Sequence, residues 1–178
     1  MKILAALCFG VGGIAVVALG GIFGHDTAFN TDDFLRLHIR AHSNSHSDQL
    51  VKYEVKQAIL DEFTPVFAFV TSREQAMTVL HNNLRRFEQI ADDVLSRGGK
   101  TYTSSVTLRS EFFPERSYNG HVLPSGMYDA LVITLGAGLG DNWWCVVYPP
   151  LCFLDNNIGG ERGVIYRSRL QEIIRRHF

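Results

Sequence analysis

The chain has 178 residues, 46% of them hydrophobic, and a formal net charge of −1. Less a terminal segment, that length suits one domain with one core, and the near-neutral charge argues against a nucleic-acid binder, which would be strongly basic. Three cysteines, one of them near the N-terminus, are too few for a disulfide-rich scaffold.

Met1 and Lys2 carry positive charge, and Ile3 to Phe23 then holds no charged residue. A positive end followed by an apolar stretch is the order of a secretory signal. The stretch is also just long enough to span a bilayer as a helix. Gly10, Gly12, Gly13, Gly20, Gly21 and Gly24 weaken that helix, each by about 1 kcal/mol relative to alanine. Ala18-Leu19-Gly20 is a passable cleavage site. Residues 1–24 are therefore expected to be a signal peptide or a membrane anchor, with cleavage and retention both open. Without a twin-arginine pair, the general secretion route is expected. Cys8 has no lipobox before it, so no lipoprotein is expected. Residues 25–33 read as a polar linker, and 34–178 as a single globular domain on the far side of a membrane.

Phe34 to His42 alternates: Leu35, Leu37, Ile39 and Ala41 on one side, Arg36, His38, Arg40 and His42 on the other. Period-two alternation marks a half-buried strand, here with a wholly basic or imidazole polar face. Ser43 to Ser47 ends it. Ser45 or Ser47 can cap the next helix, with Asp48 in its first turn. That helix runs to about Phe63, before Thr64-Pro65. Ser72 and Gln75 fit a capping box. Behind it, Ala76, Leu80, Leu84, Phe87, Ala91 and Val94 form one apolar helical stripe, stopped by Gly98-Gly99. Tyr102 to Phe112 alternates in part and reads as a strand, and 114–126 as a loop. Tyr128 to Leu135 is apolar on both faces, as for a central strand. Trp143 to Tyr148 is a further strand, ended by Pro149-Pro150. Tyr166 to His177 reads as a helix with arginines outward. The fold class is α+β: two long helices on one face of a mainly antiparallel sheet, plus a C-terminal helix.

His38, His42 and His46 are four apart, the spacing of zinc ligands on a helix. On a strand, however, His38 and His42 lie about 13 Å apart, too far to share a metal with bonds of about 2 Å. No metal or other cofactor is expected. No Gly-x-Ser-x-Gly elbow places a nucleophilic serine. Gly136, Gly138 and Gly140 follow a strand like a phosphate loop, but no helix follows to receive the phosphate, so a flexible hairpin loop is expected. Cys145 and Cys152 would lie about 23 Å apart if fully extended. Pro149-Pro150 is placed to turn the chain so that they pair. Two buried free thiols are the other reading.

Two stretches carry a resemblance. One is Arg36-Leu37-His38-Ile39-Arg40-Ala41-His42-Ser43-Asn44-Ser45 with Asp48-Gln49. The other is Gly136-x-Gly-x-Gly-x-Asn142-Trp143-Trp144-Cys145 with Pro149-Pro150-Leu151-Cys152. Together, behind an export signal, they resemble the stage II sporulation protein R family over about Phe34 to Phe153. The chain departs from that pattern at Val132, where arginine is common, and at Ala137 and Leu139, where polar residues are common. The resemblance implies a non-catalytic signalling protein. It would be secreted by the forespore into the space next to the mother cell, and would trigger a membrane-embedded aspartic protease that processes the sigma-E precursor. Residues 3–23 would supply any membrane association. Residues expected to touch the partner are Arg36, His38, Arg40, His42, Ser43, Asn44, Ser45, Asp48 and Gln49, with Asn142, Trp143 and Trp144. The basic groups could instead pair with acids of the same domain, such as Asp48 or Glu54. The alternative function is a secreted metal- or serine-dependent hydrolase acting on cell wall or peptide.

Overall fold

The computed structural model describes residues 30–118 and 121–154. The expected signal or anchor and the helix at Tyr166 to His177 lie outside the described residues. After a 3-10 turn at Thr31–Asp33, the elements are β1 (Leu35–Arg40), α1 (His46–Phe67), α2 (Arg73–Asn82), α3 (Leu84–Arg97), β2 (Ser104–Phe113), β3 (Arg116–Tyr118), β4 (His121–Leu123), β5 (Gly126–Leu135), β6 (Asn142–Tyr148) and the short α4 (Leu151–Leu154). The fold is α+β. The main sheet runs β2-β5-β1-β6, and β3 and β4 form a separate hairpin. β5 is antiparallel to β2, and β6 antiparallel to β1, but the central pair β1 and β5 is parallel.

Serine chemistry starts the helices as the sequence reads. Ser45 Oγ accepts from the Asp48 N–H at 3.2 Å, and Ser72 Oγ from the Gln75 N–H at 3.2 Å. Each satisfies an amide that helix geometry leaves unpaired. The second long helix is divided at Asn83, whose side chain donates to the Val79 carbonyl at 2.7 Å. Local side-chain competition of this kind breaks a helix without changing the phase of its apolar stripe. Leu80 and Phe87, on either side of the break, are both buried. α3 ends with the Lys100 N–H on the Leu95 carbonyl and the Gly99 N–H on the Ser96 carbonyl. Gly99 sits at φ 68°, the left-handed end that glycine permits.

α1 runs past the expected stop at Phe63 and through Pro65. Proline removes one amide, and the carbonyl it would have bonded is that of Asp61. Asp61 is exposed, so water can serve that group. The extra turn buries Phe67, which stacks on Phe153 of α4 with centroids 4.4 Å apart.

The main core lies between the helices and one sheet face. Leu35, Leu37 and Ile39 of β1 and Leu131, Ile133 and Leu135 of β5 meet Val51, Val55, Ile59 and Phe63 of α1 and Phe87, Ala91 and Val94 of α3. A second cluster fills the opposite face: Phe34, Phe113, Leu123, Tyr128, Ala130, Val132 and Val146. This corrects the reading of β1 as half-buried. Arg36 is 0% exposed and His38 1%. Phe113 at the end of β2 returns under the sheet, with its ring 4.8 Å from that of Trp144 and 5.9 Å from that of His38. The expected loop at 114–126 folds as the β3–β4 hairpin, and its Tyr118 bonds Arg36 on this face.

Candidate functional site

The two sequence stretches singled out above meet at the C-terminal end of β1. The loop 136–141 is not a hairpin between neighbours, because β1 stands between β5 and β6. It must cross the end of β1, and it is bonded there. The Gly140 N–H donates to the Ala41 carbonyl at 2.9 Å and the Leu139 N–H to the His42 carbonyl at 3.2 Å. The Ala137 N–H donates to His42 Nδ1 at 2.9 Å, and the Asp141 N–H to Asn44 Oδ1 at 2.6 Å. The first of these side-chain contacts places the proton of neutral His42 on Nε2.

This contact explains the glycines. A Cβ on Gly140 would stand 2.2 Å from the Ser43 carbonyl oxygen, and one on Gly136 2.2 Å from His42 Nδ1. Gly138, at φ 63°, would place one 2.5 Å from Thr134 Cγ2. The spacing that resembles a phosphate loop is thus a close-packing requirement, of backbone on backbone at Gly140 and of backbone on the His42 and Thr134 side chains at Gly136 and Gly138. The loop is a clasp on the Ala41–Ser45 turn.

Under the clasp sits Asp48, 6% exposed. Its carboxylate accepts from Ser43 Oγ at 2.6 Å, Lys100 Nζ at 2.7 Å and Tyr102 OH at 2.7 Å. The Lys100 ammonium, then the Ser43 hydroxyl, holds this carboxyl well below the usual carboxylate range. Burial, and then the bond to Asp48, pushes the Tyr102 phenol up. Tyr102 also stacks on His42, with centroids 4.1 Å apart. Gln49 Nε2 donates to the Ser43 carbonyl at 2.9 Å, and Lys52 Nζ ties Gln49 Oε1 (2.7 Å) to the Asp141 carbonyl (2.9 Å). Lys52 is 1% exposed.

The other expected residues are divided. Arg36 lies among rings, 4.3 Å from the centroid of Phe113 and 4.9 Å from that of Tyr128. It donates to the Cys145 carbonyl at 3.0 Å and to Tyr118 OH at 2.8 Å. Burial pulls its pKa down. His38 stacks on Trp144 with centroids 3.7 Å apart. Burial lowers its pKa from 6.5 to about 4. Its Nδ1 is 3.3 Å from Glu111 Oε2 but without hydrogen-bond alignment, and Arg40 pairs with the same carboxylate. The basic face of β1 therefore meets rings, one hydroxyl and Glu111 of its own domain. The expected acids Asp48 and Glu54 do not take these cations: Asp48 pairs with Lys100. Arg36 and His38 are closed to a partner in this conformation, whereas Arg40, His42 and Ser43 are partly accessible and Asn44, Ser45 and Asn142 exposed. Trp143 and Trp144 are half-buried.

His38, His42 and His46 do not converge: one is under the sheet, one beneath the clasp and one on the first turn of α1. Among the described residues no three His, Cys, Asp or Glu side chains group as metal ligands. Cys145 and Cys152 form a disulfide with Cα atoms 5.9 Å apart. Sequence reasoning missed Lys52, Lys100, Tyr102 and Glu111. Only Lys100 left a local signal, since the helix stop at Gly99 aims the next residue back along the helix end.

The family model for stage II sporulation protein R matches residues 31–158. The chain belongs to the stage II sporulation protein R family. It is 35% identical over 167 residues to stage II sporulation protein R of Bacillus subtilis (strain 168), a match covering 89% of this chain and 75% of that one. No solved structure matches it. The matched region of this sporulation-family chain contains the whole clasp, the Asp48 cluster and the disulfide.

Proposed function

We propose that this protein is an exported activator, which triggers a membrane-embedded aspartic protease of the mother cell to process the sigma-E precursor. Family membership carries this reading. The N-terminal order of Lys2 and an uncharged apolar stretch supports export across the forespore membrane. The clasp supports a binding role over a catalytic one. Its carboxylate, ammonium and phenol are all spent on one another, and a satisfied ion network is poor material for a general acid or base near neutral pH. What the clasp provides is a rigid, partly exposed end of the molecule, as a protein-binding scaffold needs.

The test is co-expression of the full chain with the candidate protease and its precursor substrate in a non-sporulating host. Processing that requires both proteins is the expected result. Processing without this chain, or none with it, refutes the activator reading. A reporter active only outside the cytoplasm, fused after residue 30, checks export separately.

A further inference from the structure

We infer that the first half of α1 and the loop between β5 and β6 form a docking surface for an acidic, apolar segment of a partner protein. The inference rests on the activator reading and names the surface that reading leaves unassigned. Leu50 is 50% exposed and Tyr53 49%. Three apart on a helix, they share one face. Tyr53 meets the clasp through Lys52. Lys52 Nζ lies 4.7 Å from its ring centroid while donating to the Asp141 carbonyl. One turn on, Lys56 Nζ stands 5.7 Å from the ring of half-buried Trp143. Leu139, 83% exposed, crowns the same loop two residues before Asp141.

Aliphatic, aromatic and cationic groups thus adjoin on a surface stiffened by the Lys52 tie. Such a mixture matches the anchors of protein interfaces and loses little freedom on binding. The charge indicates the occupant. Lys52 is buried and held by Gln49 Oε1 and the Asp141 carbonyl, whereas the half-buried Lys56 makes no ion pair among the described residues. A carboxylate entering beside Tyr53 and Trp143 would meet Lys56 over an aromatic face, with apolar neighbours seated on Leu50 and Leu139. A purely apolar occupant would leave that ammonium desolvated without compensation.

The test uses the full chain in the co-expression system. Lys56→Glu, and separately Leu50→Ser with Tyr53→Ser, are expected to reduce precursor processing by about tenfold or more with unchanged melting temperature. Met127→Ser, at an exposed apolar residue on the start of β5, should process normally. A photo-crosslinking side chain at position 53 should capture the co-expressed protease, and one at position 112 should not. Full processing by the α1 variants, or a position-53 crosslink only to a second copy of this chain, overturns the inference while leaving the activator reading intact. If the wild-type chain supports no processing, the activator reading fails. A position-53 crosslink to the protease would then still support the surface, and its absence would overturn both.

Discussion

His38 offers the sharpest check on the buried polar face. Its side chain is 1% exposed, stacked on Trp144 and flanked by Phe113. Burial is the main cause that lowers its pKa to about 4, opposed by the nearby Asn142 side chain and aided by the charges of Arg40 and Arg109. In the unfolded chain the ring returns to about 6.5. As pH falls below about 6.5 the unfolded chain takes up a proton that the folded chain refuses, so stability falls until His38 itself protonates near pH 4. At about 1.4 kcal/mol per pH unit, the whole interval is worth on the order of 3 kcal/mol. His38→Phe keeps a flat ring against Trp144 and cannot titrate. Urea denaturation of both proteins between pH 4.5 and 7.5 is the assay, and the slope with pH decides, whatever the absolute stability of the variant. The wild-type slope should exceed that of the variant by up to about 1.4 kcal/mol per pH unit in this window. Identical slopes would refute the claim that His38 is buried neutral. Asp48 does not confound the result, because its depressed pKa means its stabilisation is lost only below the ordinary carboxylate range.

Arg40→Ala removes the cation paired with Glu111 and one that repels a charged His38. The His38 pKa should therefore rise above about 4, as read by NMR titration of its ring; an unchanged value would mean that Arg40 does not govern this pair. Gly140→Ala forces a Cβ to within 2.2 Å of the Ser43 carbonyl oxygen and should destabilise by about 1–3 kcal/mol or more. Gly99→Ala, which meets no atom within 4 Å, should cost only the left-handed conformation, about 1–2 kcal/mol, and thermal melts of the two variants compare them. Reducing Cys145–Cys152 opens a link of sequence separation 7 and should lower stability by about 2–3 kcal/mol. Intact mass should fall by two hydrogens on oxidation, and equal urea midpoints with and without reductant would refute the stabilising role.

Much of the local structure was legible because its causes are local. Ser45 and Ser72 cap helices because a hydroxyl reaches two or three residues along the chain. Gly99 ends α3 because no other residue takes φ 68° so cheaply. The apolar stripe through Leu80, Leu84 and Phe87 set the core face of the second long helix even though Asn83 divides it, because the division preserves its phase. The candidate site was half legible. The serine turn and the glycine loop stood out as unusual residue runs, but nothing in either run says that they touch. Tyr102 and Lys100, which complete the Asp48 cluster, lie 54 and 52 residues from it.

Sequence alone determined which residues of β1 face the helices, since alternation assigns Leu35, Leu37 and Ile39 to one side by strand geometry. Only the tertiary structure decided what becomes of the other side. A run of Arg36, His38, Arg40 and His42 reads as a solvated or partner-facing surface unless something covers it. The cover comes from Glu111 and Phe113 of β2 and Tyr118 of the β3–β4 hairpin, more than 70 residues later. Likewise the parallel pairing of β1 with β5 makes the glycine loop cross β1 instead of turning beside it, which converts three glycines from a sign of flexibility into the contact surface of a clasp. Chain order records neither decision, because both depend on which strands become neighbours, and that follows from packing the whole core.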